Sequence, residues 1–450
     1  MQGTTLSRWT LSYFAVAVVF LLAAQALMAL GVGYPSAALR APQTLIVVHC
    51  VTVGWLSLLM CGALFQFVPV LLARPIYSNM LPLPALILIV AGLGALIAGF
   101  LQLAGALPWM PHCFIAAGIL LGSGFAVVLW TLGRTFARAW PPNLPAQFVV
   151  VGLCAIAVTV TFGIVFALGY GGYLHSALLA KLRVHALPLH VIVGLGGWLT
   201  FTAFGVSHRL LAMFMLSPEL DGPTTRWTLY LGTLALAIVV GAGTVAAAAA
   251  GGLEIVLSLA GLAGLACLAL YGSDVVQLYR RRVRRVIELN SRMAAVALTH
   301  LAAAVLLIIA SAALGGIARF SGALVFLVCF GWLTGLGLAK LYKIVAFVTW
   351  LECYGPVLGK TPTPRVQDLV VEPRAARWFW LYFAAVDFAT LCLFTGTPLM
   401  FRAAAAFMTI ATLGIAVELV RTRRLVNVKE ALRLPSGAHA PRLLLTFVAH

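Results

Sequence analysis

Nine histidines, eight cysteines and eleven acidic residues are scattered through this 450-residue chain. They are the groups best suited to ligating a metal ion or carrying a proton. His112 and Cys113 are adjacent, and His175 and His185 fall within the stretch "YLHSALLAKLRVHALPLH". Imidazole and thiolate suit copper, so these four form a candidate metal group, although their spacing matches no established ligand pattern. The plainer reading is a set of interfacial histidines bonded to backbone or water. Residues 173–186 then form an interfacial helix with Lys181 and Arg183 toward headgroups. Asp274 and Asp387 lie inside apolar runs, where a carboxylate is costly and marks either a proton path or a pair with a basic or hydroxyl side chain. His300 lies inside another run, as a ligand or, on the favoured reading, a core residue. Arg209, beside His208, either binds an anionic group or snorkels to the membrane surface. His439 and His450 sit in the tail and suggest no chemistry.

The elements that position these groups are membrane helices. The chain is 63% hydrophobic and 9% charged, with mean hydropathy +1.08, and runs of about 20 apolar residues, enough to span a bilayer, follow one another almost end to end. The pattern predicts an all-α polytopic membrane protein of twelve helices, near 10–33, 43–73, 80–106, 111–136, 146–172, 187–216, 226–249, 253–279, 293–316, 321–351, 376–396 and 399–420. The net charge of +18 resides in short loops, so nucleic acid is not an expected partner. Basic residues concentrate after even-numbered helices, as in "RRRVRR" at 280–285, which predicts an inner (cytoplasmic) membrane protein with both termini cytoplasmic. His49, His112, His175, His185 and His190 then lie toward the outer face. Glu352 and Glu418 lie near cytoplasmic helix ends and call for no special role. The cysteines show no CxxC and read as small buried hydrophobes. The first apolar run is kept as a span rather than a cleaved signal. The loop 352–375 and the cytoplasmic tail 421–450 do not read as folded domains.

One phrase recurs. "GWLSLLMCGALFQFVPV" begins at Gly54, "GWLTFTAFGVSHRLLAM" at Gly197 and "GWLTGLGLAKLYKIVAF" at Gly331. Seven residues beyond each Trp stands a small residue (Gly62, Gly205, Ala339). Eleven beyond stands a long polar one (Gln66, Arg209, Lys343). The phrases fall on the second, sixth and tenth helices. This predicts a single transmembrane domain of three four-helix pseudo-repeats, near 10–136, 146–279 and 293–420. The small residue permits close helix approach and the long one reaches the membrane surface.

Twelve helices in three four-helix arcs, with helices 2, 6 and 10 equivalent, resemble subunit I of the haem-copper oxidases, including the cbb3 and nitric oxide reductase branches. The resemblance covers nearly the whole chain as architecture and only part of it as motif. It implies that His49 stands where a second-helix histidine ligates low-spin haem, and His190 on the helix that supplies a copper ligand. The family's histidine pair on helix 7 and its two haem-ligating histidines on helix 10 have no counterpart here. The resemblance therefore implies a divergent member without the binuclear centre, and oxygen or nitric oxide reduction by this chain alone is not expected. The small residues of "AGTVAAAAAGG" leave little room for a macrocycle against helix 7.

Three readings follow. In the first, His49 and His190 bind haem b, with Arg209 available to a propionate and copper as a weaker addition. The role is then electron transfer, sensing or respiratory-complex assembly, alongside other respiratory subunits or a periplasmic redox protein. In the second, a cofactor-free transporter of a small solute or metal uses the same scaffold through Asp274 and Asp387. In the third, the chain is a structural subunit of a respiratory complex.

Overall fold

A computed structural model describes residues 7–108, 110 and 112–446, so His450 lies outside the described residues. Among them there is no strand, and twelve helices are long and apolar enough to cross a membrane. They are α1 (Thr10–Ala29), α2 (Pro42–Leu72), α3 (Pro82–Leu103), α4 (Cys113–Ala137), α5 (Leu144–Tyr170), α6 (Leu187–Met215), α7 (Pro223–Ala249), α8 (Leu253–Arg280), α9 (Leu289–Ala313), α10 (Ile317–Val357), α11 (Glu372–Thr395) and α12 (Pro398–Arg423). The ends lie close to those read from hydropathy, because Pro and Gly punctuate most of them. The largest difference is α10, which continues through a 3₁₀ turn, Gly355–Val357. The chain is thus a multi-pass membrane protein.

The helices group into two compact units. One comprises residues 67–287. In it α3 pairs with α4, α7 pairs with α8, and α5 packs on both α4 and α6. The short helix Ala177–His185 buries none of its residues.

The other unit comprises residues 1–66 and 288–450. Here α1 packs on α2 and α12, α9 on α10, and α11 on α12. At one end of this bundle several charges enter as pairs. Lys343 meets Glu288 at 2.6 Å, and Arg374 and Arg421 both hold Glu418, at 2.7 and 2.9 Å. Arg423 holds Glu352 at 2.8 Å, with side chains 4% and 1% exposed. Glu352 and Glu418 are therefore buried ion-pair partners rather than solvated helix-end charges, since an unpaired charge there would cost several kcal/mol.

The tail, as far as residue 446, is likewise tied down. Tyr354 donates to the Arg433 carbonyl (2.6 Å), Ser12 to Leu444 (2.7 Å) and Thr446 to Ser7 (3.0 Å). In the preceding loop a 3₁₀ turn, Val366–Leu369, is capped by Arg365 and Asp368. The Arg365 side chain and amide hold the Asp368 carboxyl below the usual carboxylate range.

The recurring phrase has a common conformation. In α2, α6 and α10 the α-helix gives way to π-helix over Cys50–Ser57, Ile192–Phe201 and Leu327–Thr334. Each stretch contains a Gly-Trp pair, and Trp55, Trp198 and Trp332 are at most 1% exposed. In each case the glycine admits the helix that precedes it in the chain or lies next to it. An added Cβ would lie 2.5 Å from Phe20 at Gly54, 2.7 Å from Ala155 at Gly197 and 2.8 Å from His300 at Gly331. The small residue seven beyond Trp does the same where it is glycine, with Tyr13 against Gly62 and Phe148 against Gly205.

Candidate functional site

In the unit of residues 67–287, α8 is buried along one stripe: Ala260, Cys267, Tyr271, Asp274, Val275 and Leu278. This three- and four-residue spacing places Asp274 on the single face that meets other helices. There His208 Nε2 lies 3.1 Å from Asp274 Oδ2, and the Thr225 hydroxyl donates to the same oxygen at 2.8 Å. The other ring nitrogen of His208, Nδ1, lies 2.9 Å from the Phe204 carbonyl, one turn earlier on its own helix. Phe148 and Tyr271 pack on the imidazole, with centroids 5.4 and 5.5 Å away. Both His208 and Asp274 are buried.

In the unit of residues 1–66 and 288–450 the arrangement recurs. His300 lies on the buried stripe of α9 with Met293, Ala297 and Ala304. Its Nδ1 faces the Val296 carbonyl at 2.8 Å and its Nε2 faces Asp387 Oδ1 at 2.9 Å. The ring stacks on Phe383, with centroids 5.1 Å apart, and fits over Gly331. Asp387 differs from Asp274 in one respect. Its side chain is 66% exposed on the outside of the helices.

Each pair poses the same proton question. Both ring nitrogens face oxygen acceptors, so the imidazole must carry both protons opposite a carboxylate, or the acid must donate its own proton to Nε2. Either state is neutral overall, and removing the shared proton leaves a net negative charge in a low-dielectric interior. The sequence marks Asp274, Asp387 and His300 separately but not their pairing, since a buried acid is expected to meet Arg, Lys or a hydroxyl. Only Thr225 answers that description. The stripe spacing around Asp274 and His300 was the available signal.

The remaining candidates stand apart. His49 Nδ1 bonds the Leu45 carbonyl at 2.7 Å. His190 Nδ1 bonds the Thr159 carbonyl of α5 at 3.1 Å, and its ring meets Phe166 edge-on. His49 and His190 belong to different compact units. Two cavities, of about 490 and 390 Å³, are lined by other residues than these two. Where α2 meets α10, Trp55 Nε1 donates to Thr334 at 2.9 Å, and an added Cβ on Gly337 would lie 2.7 Å from Leu59. A macrocycle between these helices at that level would have to displace Trp55, so the residues there do not fit a haem.

Arg209 pairs with Glu219. Cys113 Sγ lies 3.2 Å from Gln102 Nε2, and His112 and His175 are exposed. His185 lines the cavity of about 390 Å³ with Glu254. Among the described residues no three His, Cys, Asp or Glu side chains gather where one metal ion could sit, so the copper group of His112, Cys113, His175 and His185 is not assembled.

No protein-family model matches the chain, and no curated protein matches it. Among solved structures, a chain of a haem-copper terminal oxidase dimer determined by cryo-electron microscopy superposes with a TM-score of 0.65. The match covers 97% of this chain and 85% of that one at 10% sequence identity. At such identity the likeness speaks for architecture alone. The chain is thus an all-helical membrane protein with a fold like that of a haem-copper terminal oxidase, resembling its subunit I.

Proposed function

We propose that the chain is a proton-coupled transport protein built on the oxidase scaffold, working through its two His–Asp pairs rather than through a haem-copper centre. The observation that carries this reading is the His208–Asp274–Thr225 cluster. A buried acid within a span is costly, and here it is retained with an imidazole and a hydroxyl disposed to hold one proton. Loss and return of that proton give two states of different charge, which is the requirement for coupling. The cluster lies near the end of α6, α7 and α8 that the basic loop 280–285 marks as cytoplasmic, so it is poised to exchange with that side.

The test is proton movement into liposomes holding a pH-sensitive dye, with the purified full chain under an imposed potential. Wild type is expected to carry a dye-detected proton flux, and Asp274→Asn to lose most of it while eluting as wild type does. Equal flux in Asp274→Asn and wild type would sink the reading.

A second reading rests on the fold likeness to a haem-copper oxidase. In it His49 and His190 hold haem b, with or without copper, in electron transfer, sensing or respiratory-complex assembly in the inner membrane. A Soret band in the purified protein, lost in both His49→Ala and His190→Ala, supports that reading over the first.

A further inference from the structure

Asp387 occupies an unusual place. It stands eight residues before the Thr395 end of α11, about 12 Å at 1.5 Å per residue. It therefore stands well inside a span long and apolar enough to cross the hydrocarbon layer, yet its side chain is 66% exposed. Its Oδ1 faces His300, and among the described residues its Oδ2 has no protein partner. Along the same face of α11, Trp380 is 54% exposed and Leu391 58%, with Phe388 beside the acid at 45%. Ala384, one turn from Asp387, is also exposed, so no large side chain stands between Trp380 and the acid along that face.

A carboxylate facing hydrocarbon needs a counter-charge or a proton. A bare metal ion or a hydrated cation would not reach it through lipid. A cation that carries its own apolar shell would, and aromatic faces beside an acid favour such cations further. We propose that Asp387, with Trp380 and Phe388, forms a membrane-facing binding site for lipophilic cations: apolar molecules bearing one ammonium or phosphonium charge. This rests on the proton-coupled reading above and names the substrate class of the Asp387 pair.

The exchange balances simply. In the unloaded state the pair holds one proton, shared between His300 Nε2 and Asp387. Arrival of the cation neutralises the carboxylate. The imidazole then releases its Nε2 proton to water, keeping Nδ1–H on the Val296 carbonyl. The Nε2–H bond breaks and its proton passes to water, one positive charge leaves as one arrives, and no covalent bond forms to the cation. His300 is the titratable group that faces Asp387 across α9, and the ion pairs of the described residues bring no other charged side chain of α10 or α12 to it. Binding therefore weakens as pH falls, because the proton and the cation compete for one site.

The experiment is tetraphenylphosphonium binding to the detergent-purified full chain, by titration calorimetry in two buffers of different ionisation enthalpy, from pH 6 to pH 8. Wild type is expected to bind and to release close to one proton per cation, more weakly at pH 6 than at pH 8. Asp387→Asn should weaken binding about tenfold or more and abolish proton release, since it removes the only formal counter-charge. Asp387→Glu should retain both, which guards against a folding artefact. His300→Gln should bind with a displaced pH dependence. Absence of binding in wild type, or equal binding in Asp387→Asn, overturns the proposal, as does binding without proton release. Proton flux without cation binding overturns this inference alone. Cation binding without proton flux overturns the transport reading and leaves the site standing.

Discussion

At the residue scale, the recurring device is an imidazole whose Nδ1 is committed to the carbonyl four residues earlier. That bond fixes the ring plane of His208 and His300, so Nε2 must point across to the neighbouring helix. Removing His208 leaves Asp274 buried with Thr225 alone. His208→Ala is therefore expected to cost about 3–5 kcal/mol if the acid stays charged, and about 1–3 kcal/mol if it takes up a proton. Thermal unfolding of variant and wild type in detergent checks it, and an unchanged unfolding temperature would argue against a stabilising pair. The double variant His208→Leu with Asp274→Leu should be less destabilised than the sum of its singles, by roughly 0.5–3 kcal/mol of coupling. Neither pairing is legible from the chain alone. Asp274 and His300 stand out in sequence as polar intrusions, but pairing residues 66 and 87 positions apart requires knowing which helix faces meet. His208 and Arg209 are adjacent in sequence but point to different partners: Arg209 to Glu219 and His208 to Asp274.

At the element scale, hydropathy and punctuation suffice for the helices, because lipid leaves no alternative way to satisfy backbone groups. They cannot reveal the π-helical turns, which change the residues per turn without changing composition. Such turns concentrate at functional sites in other helices. Here they bring a buried Trp and a small residue to each of α2, α6 and α10, and we infer that these three helices are equivalent members of a repeat. The glycine before each Trp is the contact point, so Gly197→Ala should set a methyl against Ala155 and cost about 1–3 kcal/mol by overpacking. Ala155→Gly in the same chain should restore much of the unfolding temperature, which separates a steric cause from loss of the π-turn. At Gly331 the neighbour is His300 itself. Gly331→Ala is accordingly expected to disturb the His300–Asp387 pair and to weaken phosphonium binding, although residue 331 touches no ligand.

At the scale of the whole molecule, the tail is where sequence and structure differ most. Its composition mixes basic residues with scattered large apolar ones that follow no helical period. Its order comes from hydrogen bonds to the helix ends of its own unit and from Leu425 and Val428, which are buried with Cys353, Tyr354 and Leu369. Arg423 is the pivot: it pairs with Glu352, bonds the Thr349 hydroxyl at 3.0 Å and donates to the carbonyl of Arg442. One buried guanidinium thus neutralises an acid of α10 and clasps the returning chain, a task suited to its several fixed donors. Lys has too few donors in that geometry. Arg423→Lys is therefore expected to preserve the Glu352 charge pair while freeing the tail, whereas Arg423→Ala loses both. Hydrogen exchange of the full chain in detergent distinguishes the two. The Thr446 amide, bonded to the Arg8 carbonyl at 3.1 Å, should lose protection in both variants. Only Arg423→Ala should also lower the unfolding temperature strongly, by stranding Glu352 without its cation at a cost of about 3–5 kcal/mol. Retained protection at Thr446 in Arg423→Ala would mean that the tail is held by its backbone contacts to residues 7–12 alone, and that Arg423 serves α10 only.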